Sequence, residues 1–282
     1  LIRGSKAGAD YLLSIKSETY HILENLDSYP ILIPTDNNIV EFYKLIDRAL
    51  DDKLIFIADP ILDPISYGFT DSLVRYVNLR KNYPDIHIMM GLGNITELTH
   101  ADTSGINMIM LGIIEELKLN HILTTQVSRH CSTVIRETDL ARRIIHAASE
   151  NNLTPKHIND GLLVHHGHKD YAFCSDELIE MQSNIKDKNY RIYVNDDGIH
   201  LFNKNVYKIF SDPFDFYEHL EVSDDPGHAF YLGVELARAQ IAHQLQKEYQ
   251  QDEELSWGCL VDKKVDNKLQ TKELGPTFKK RK

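Results

Sequence analysis

Along the first 150 residues the apolar positions fall into two alternating textures. Short continuous runs of strand length occupy 11–15, 30–33, 54–58, 86–90 and 121–124. A run with no polar alternation suits a strand covered on both faces, as in a parallel sheet. Between these runs lie the stretches 18–26, 37–50, 71–82, 102–117 and 132–149, which read as amphipathic helices. Val40, Tyr43, Leu45, Ile46 and Leu50 show the helical spacing plainly, with one stripe for a core and the other for water. Asp102, followed by Thr103 and Ser104, offers a helix N-cap. The pattern predicts five βα units, preceded by a piece of a further helix at 2–8.

After about residue 150 the texture changes. A polar stretch holds His165-His166-Gly167-His168, and 176–185 reads as a short helix. Residues 190–195 and 199–203 alternate in strand fashion around Asp196-Asp197-Gly198, a hairpin signal. Residues 204–210 add a third strand, and 229–249 form a long helix rich in small residues such as Gly233, Ala237, Ala239 and Ala242. From Asp262 onward periodicity vanishes and Lys, Asp and Gln dominate, which predicts disorder.

Five units do not close an eight-stranded barrel. An open doubly wound sheet and a barrel without its first three units both accommodate them, and the Met-less opening inside a helix favours the barrel. The expected fold is therefore α/β. Residues 1–150 would be the C-terminal part of a (β/α)8 TIM barrel, 151–260 a small α+β domain, and 261–282 a disordered polar tail. A piece of this kind is expected to be inactive by itself.

Composition narrows the function classes. A net charge of -11 argues against a broad nucleic-acid footprint, and the one strongly basic patch is Lys279-Lys280-Arg281-Lys282. The three cysteines, Cys131, Cys174 and Cys259, are widely separated and lack CxxC spacing. That fits a reducing cytoplasm and neither a disulfide framework nor a cysteine metal site. No apolar run approaches the ~20 residues of a membrane span. His165, His166 and His168 have no carboxylate or cysteine at ligand spacing, so no metal site is expected.

Three loops that follow predicted strands carry candidate chemistry, and in parallel α/β folds that rim is where sites are built. The first is Asp59-Pro60-Ile61-Leu62-Asp63-Pro64, ahead of Gly68 and a helix. Its prolines lack the N–H that regular pairing needs, and its two carboxylates compete for one role. The second is Gly91-Leu92-Gly93-Asn94-Ile95-Thr96-Glu97-Leu98. Gly91 and Gly93 permit close approach of a flat ligand, and Asn94 offers a donor and an acceptor. A left-handed Asn in a glycine-rich turn is the competing expectation. It is no phosphate loop, because the Gly-Lys-[Ser/Thr] ending is missing. The third is Thr124-Thr125-Gln126-Val127-Ser128-Arg129-His130. Arg129 or Arg136 could hold an anion bidentately, or these residues cap the next helix. Lys16 at the end of the first run could contact an anion or face solvent. His228, Tyr231 and Glu235 share one helical face, which lines a site or packs the helix.

The order strand–Asp-Pro…Gly-Phe–helix, then strand–Gly-Leu-Gly-Asn-Ile-Thr, resembles the pterin-binding barrel superfamily of dihydropteroate synthases and folate-dependent corrinoid methyltransferases. In the synthases the corresponding aspartate grips the pterin's amino-pyrimidinone edge, a part that falls here to Asp59 or Asp63. The methyltransferase loop Gly-Leu-Ser-Asn-Val-Ser is similar to the one here, so Asn94 inherits a place beside the pterin, together with Gly91 and Gly93. More closely, the chain resembles dihydropteroate synthase-related proteins, in which a pterin-binding barrel precedes a small domain of unknown function. Leu123-Thr124-Thr125-Gln126-Val127, Arg136-Glu137-Thr138-Asp139-Leu140-Ala141-Arg142-Arg143 and His228-Ala229-Phe230-Tyr231-Leu232-Gly233-Val234-Glu235-Leu236 continue the match, which runs to about Gly258.

The resemblance implies a transferase that condenses a hydroxymethyl-dihydropterin diphosphate with an arylamine, for a folate- or tetrahydromethanopterin-type carrier. Lys16, Arg129 and His130 are the weaker candidates for the anionic leaving group. No tightly bound cofactor is expected; the pterin is substrate or ligand, and Mg2+ would accompany a diphosphate. The implied partners are a pterin and an arylamine, with neither nucleic acid nor membrane, and a homodimer is compatible. Three departures bear on activity. Gly93-Asn94-Ile95 stands where the synthases have Ser-Arg-Lys, their Arg-x-His pair is unmatched, and Ser14-Ile15-Lys16-Ser17 lacks their asparagine. A pterin-dependent methyl carrier and a non-catalytic pterin-binding scaffold therefore stand beside the transferase as alternatives.

Overall fold

A computed structural model describes residues 1–25 and 27–262. The chain divides into two compact units, the first Leu1–Leu162 and the second beginning at Leu163. Most of the expected disordered tail, 263–282, lies outside the described residues.

The first unit opens with helix α1 (Ile2–Lys6) and then builds five parallel strands. These are β1 (Tyr11–Ile15), β2 (Tyr29–Leu32), β3 (Ile57–Ala58), β4 (His87–Gly91) and β5 (His121–Leu123). They lie side by side in chain order, β1-β2-β3-β4-β5, with no reversal. That order is singly wound and rules out the doubly wound alternative for the strands described, since a doubly wound sheet needs a switch point. The crossovers are a 3-10 segment (Ser17–Asn25), α2 (Ile39–Asp51), α3 (Phe69–Asn82), and the pair α4 (Gly93–Thr96) and α5 (Thr103–Glu116), with α6 (Val134–Glu150) after β5.

One face of the sheet carries the main core. Ile15, Leu32, Ala58, Ile88 and Met90 pack with Phe42 and Leu45 of α2, Tyr76 and Leu79 of α3, Met110 and Leu111 of α5, and Ala141 of α6. The other face holds only a small cluster, Ile31, Ile57 and Met89, with Ile33 against it. The sheet curls strongly. The ring of Tyr11 on β1 lies 6.3 Å from that of His121 on β5, although three strands separate them in the order. A flat sheet spaces such strands by about 19 Å at ~4.8 Å per strand, so the arrangement is a half-barrel.

Several expected boundaries shift. The apolar run 54–58 yields only two strand residues, because Leu54 belongs to the end of α2. Its N–H bonds Ala49 O at 2.9 Å, across a left-handed Lys53 at φ 54°. Ile55 is left 74% exposed. The segment at 18–26 is a 3-10 coil rather than an α-helix, and Leu26 lies outside the described residues. The glycine-rich loop after β4 contains a turn of helix, so Asn94 is helical and not left-handed.

The second unit contains α7 (Ser175–Ser183), an antiparallel meander β6 (Arg191–Asn195), β7 (Gly198–Phe202) and β8 (Tyr207–Phe210), and the long helix α8 (Pro226–Gln244). The expected hairpin is present: Asn195 pairs with Gly198 across Asp196-Asp197, and Gly198 takes φ 141°. Ile192, Val194, Ile199 and Leu201 pack with Leu232, Leu236, Ala239 and Ala242 of α8. That helix ends at Gln244, short of the expected 249, where the left-handed Gln246 (φ 51°) turns the chain back. No helix among the described residues is long and apolar enough to cross a membrane.

Candidate functional site

Every chemistry-bearing loop of the first unit follows a strand's C-terminal end, so parallel pairing collects them on one rim. At its centre stands Asp59. Its own N–H extends the ladder to Leu32 O at 2.9 Å, which fixes the Cα as firmly as a strand residue. The side chain is 8% exposed. Its Oδ1 accepts two hydrogen bonds, from the Ile61 N–H at 2.8 Å and the Tyr76 hydroxyl at 2.9 Å. Burial pushes the carboxyl above the ordinary carboxylate range, even though these donors and the Arg75 guanidinium pull the other way.

Asp63 has a different place. It sits in the same loop, but its Oδ2 forms an ion pair with Arg75 Nη2 at 2.7 Å. Arg75 also donates to Pro60 O at 3.2 Å and Ile61 O at 2.8 Å, so one guanidinium holds three points of the loop. Gly68, at φ 105°, starts α3 where a Cβ would stand 3.2 Å from Asp63 Oδ2. The two carboxylates that the sequence left equal are therefore separated: Asp63 is tied down as a brace, and Asp59 retains capacity at Oδ2.

Asn94 joins this loop to the next one, its Nδ2 donating to Leu62 O at 2.7 Å. Its amide oxygen accepts no hydrogen bond among the described residues. Gly93 is required by close approach, since a Cβ there would lie 3.1 Å from Thr125 Oγ1, whereas Gly91 faces open space. Glu97, which no expectation singled out, organises the third loop. It accepts from Thr125 Oγ1 (3.0 Å), the Val127 N–H (2.8 Å) and the Ser128 N–H (2.8 Å). Those donors hold its carboxyl down at about 2. The Thr124 hydroxyl on this rim is buried with no hydrogen-bond partner among the described residues.

The anion candidates are less well assembled. Lys16 follows β1, half-buried, with its N–H bonded to Thr19 Oγ1. Arg129 is exposed on a 3-10 turn. His130 Nε2 lies 3.0 Å from Thr96 O, and its ring meets that of His100 edge-on. A shallow depression of about 270 Å3 is lined by Ile65, Ser66 and Gly68 to Asp71, and includes neither Asp59 nor Asn94.

In the second unit, Glu235 is 1% exposed, and both of its oxygens are occupied. Arg238 Nη1 reaches Oε1 at 2.6 Å, while the Tyr249 hydroxyl (2.8 Å) and Asp252 N–H (3.1 Å) reach Oε2. Tyr231 donates to Asp252 Oδ1 at 2.8 Å, and the His228 ring lies beside Tyr190 and Tyr231. This helical face is built for packing. His166 Nδ1 lies 2.9 Å from Leu245 O, and no group of three or more potential metal ligands occurs among the described residues.

No protein-family model matches the chain. It is similar to an uncharacterized protein of Methanocaldococcus jannaschii, 28% identical over 301 aligned positions that cover 90% of this chain and 56% of that protein. The chain thus spans about half the length of this relative.

Proposed function

We propose that the half-barrel is part of a pterin-binding barrel, and that Asp59 is the group that holds the pterin. The observation that carries this reading is Asp59 itself: a buried carboxyl at the end of the central strand, with both described bonds on Oδ1. A buried polar group normally has its capacity used, so unspent capacity at a strand's C-terminal rim supports a ligand role. The ligand would present N–H donors on a flat edge, as the amino-pyrimidinone of a pterin does. Asn94, tied to the same loop through Leu62 O, would offer its amide oxygen as a further acceptor, and Gly91 leaves room for a ring.

The reaction supported best by the resemblance is a synthase-type transfer: the arylamine nitrogen displaces diphosphate from the pterin's methylene carbon. Such a step needs positioning and charge stabilisation more than proton shuttling. Lys16 and Arg129 are the cations of this chain that would face a leaving diphosphate, with Mg2+ as counter-ion. A pterin and an arylamine as partners, a cytoplasmic setting and a homodimer belong to the same reading.

The test, made on a protein that carries the complete barrel, is arylamine-dependent diphosphate release from 6-hydroxymethyl-7,8-dihydropterin diphosphate. Release that stops with Asp59→Asn supports the transferase. Pterin binding with no release discards the transferase and leaves a pterin-binding scaffold. Methyl transfer from a methylated pterin to a corrinoid, without diphosphate chemistry, favours the methyl-carrier alternative that the Asn94 loop resembles.

A further inference from the structure

The geometry points to Tyr76 as the positioning residue of this site: its hydroxyl aims the Asp59 carboxyl so that Oδ2 alone is offered, and it favours the ionised form that meets a donor-rich ligand. The inference rests on the reading of Asp59 as the ligand's anchor. Tyr76 is fully buried in the core beneath the rim, so its ring cannot turn to find another partner. The phenol's hydroxyl donates to Asp59 Oδ1, 2.9 Å away.

The loop adds a second sign that this aim is built in. Ile61, a β-branched residue, takes φ 65° so that its N–H reaches the same Oδ1 at 2.8 Å. A left-handed β-branched residue persists only where its surroundings impose it. Here Arg75 imposes it, gripping the carbonyls of Pro60 and Ile61. Arg75 and Tyr76 are neighbours on α3, so one turn of helix fixes both the loop and the carboxyl. Oδ1 then has two donors for its two lone pairs, and a ligand meets Oδ2. The ionisable groups around Asp59 are Tyr76 and Arg75 on α3 and Asp63 on its own loop, already paired with Arg75; the loop after β4 reaches this loop through the neutral Asn94, at Leu62 O.

Two roles are thus separated for neighbouring side chains. Arg75 holds the loop's shape, and Tyr76 holds the carboxyl's orientation and charge. A hydroxyl that donates to a carboxylate stabilises the anion over the acid. Its removal therefore raises the pH at which Asp59 ionises, and raises equally the pH below which a donor-bearing ligand is lost.

The experiment uses the full 282-residue chain labelled with 13C at the Asp side-chain carboxyls, with Asp59→Asn to assign the Asp59 resonance. In Tyr76→Phe, which keeps the ring, the Asp59 midpoint is expected to rise by about one pH unit, the equivalent of one charge-assisted hydrogen bond. The pH below which 6-hydroxymethyl-7,8-dihydropterin binding weakens should rise with it. An unmoved Asp59 midpoint in a folded Tyr76→Phe overturns the assignment. If that variant does not fold, wild-type protein labelled at Tyr 13Cζ decides: the Tyr76 signal must inflect at the Asp59 midpoint, and a flat Tyr76 signal overturns the assignment. A raised Asp59 midpoint with no pterin binding at any pH upholds Tyr76 and discards the pterin reading, so the two failures are distinguishable.

Discussion

Asp59 and Glu235 are both buried carboxylates, and their surroundings treat them in opposite ways. Glu235 in the second unit has a guanidinium on one oxygen and a phenol and a backbone N–H on the other. Asp59 on the rim of the half-barrel has a phenol and a backbone N–H too, but both on Oδ1. Its nearest guanidinium is committed to Asp63 and to backbone carbonyls. The first pattern closes a packing network. The second leaves a desolvated group with capacity for something outside the chain. Burial alone therefore does not mark a site; how the donors are distributed over the two oxygens does.

The largest expected effect lies on the closed side of this contrast. Glu235→Ala strands the Arg238 guanidinium and the part-buried Tyr249 hydroxyl, and should cost the second unit about 2 kcal/mol, allowing for the partial exposure of Arg238. Trp257, the one tryptophan of the chain, lies 4.6 Å from Lys247 Nζ in this unit and reports its unfolding by fluorescence. A denaturation midpoint that stays put would show that the network is dispensable.

On the open side, Asp59→Asn should weaken pterin binding by about 100-fold, as loss of a buried charge-assisted contact does. Stability should move the other way. Because burial lifts the folded pKa of Asp59 above its unfolded value, wild type loses stability as pH rises from the ordinary carboxylate range through that lifted value. Asp59→Asn escapes this loss, so it should melt higher than wild type at pH 8, the gap closing toward pH ~4. An Asp59→Asn variant that is destabilised at pH 8 would mean that the carboxylate is structural after all.

Asp63→Asn breaks a pair whose side chains are each 15% exposed, and should cost about 1 kcal/mol with only a few-fold change in pterin affinity. Chemical denaturation and the same titration check both parts. Glu97→Gln should leave global stability nearly unchanged but speed amide exchange at Val127 and Ser128, whose N–H groups its carboxylate holds. The smallest effect concerns His121, whose pKa is lowered by burial and by His87, 2.9 Å away. That contribution is whole above about pH 6.5 and fades as pH falls. Replacing His121 by Gln should flatten the melting profile between pH 7 and 5.

Much of the first unit could be read from its sequence because strand and helix periodicities are local. All five runs yielded parallel strands, in chain order. The run 54–58 misled because Leu54 and Ile55 carry the apolar signature of a strand, while the bond from Leu54 to Ala49 is a helix ending that only a left-handed Lys53 reveals. The site was readable down to the loop and no further. Asp59 and Asp63 are equivalent as residue types; what separates them is Arg75 and Tyr76, 12 and 17 positions away on the next helix. A signal for Tyr76 existed, since it falls on the Leu73–Leu79 stripe of α3 and a buried phenol needs a partner. Glu97 gave none, because its value comes from a turn at 125–128 that local patterning does not predict. The helix at 229–249 was read too long for a related reason: Tyr249 continues the apolar pattern but serves Glu235 from beyond the helix end.

The central claim is that Asp59, and not Asp63, is the ligand's anchor. Calorimetric titration of 6-hydroxymethyl-7,8-dihydropterin diphosphate into the wild-type chain, Asp59→Asn and Asp63→Asn tests it most directly. The account predicts binding by wild type, its loss in Asp59→Asn and its survival in Asp63→Asn. Binding that survives in Asp59→Asn, or that is absent from wild type, contradicts it.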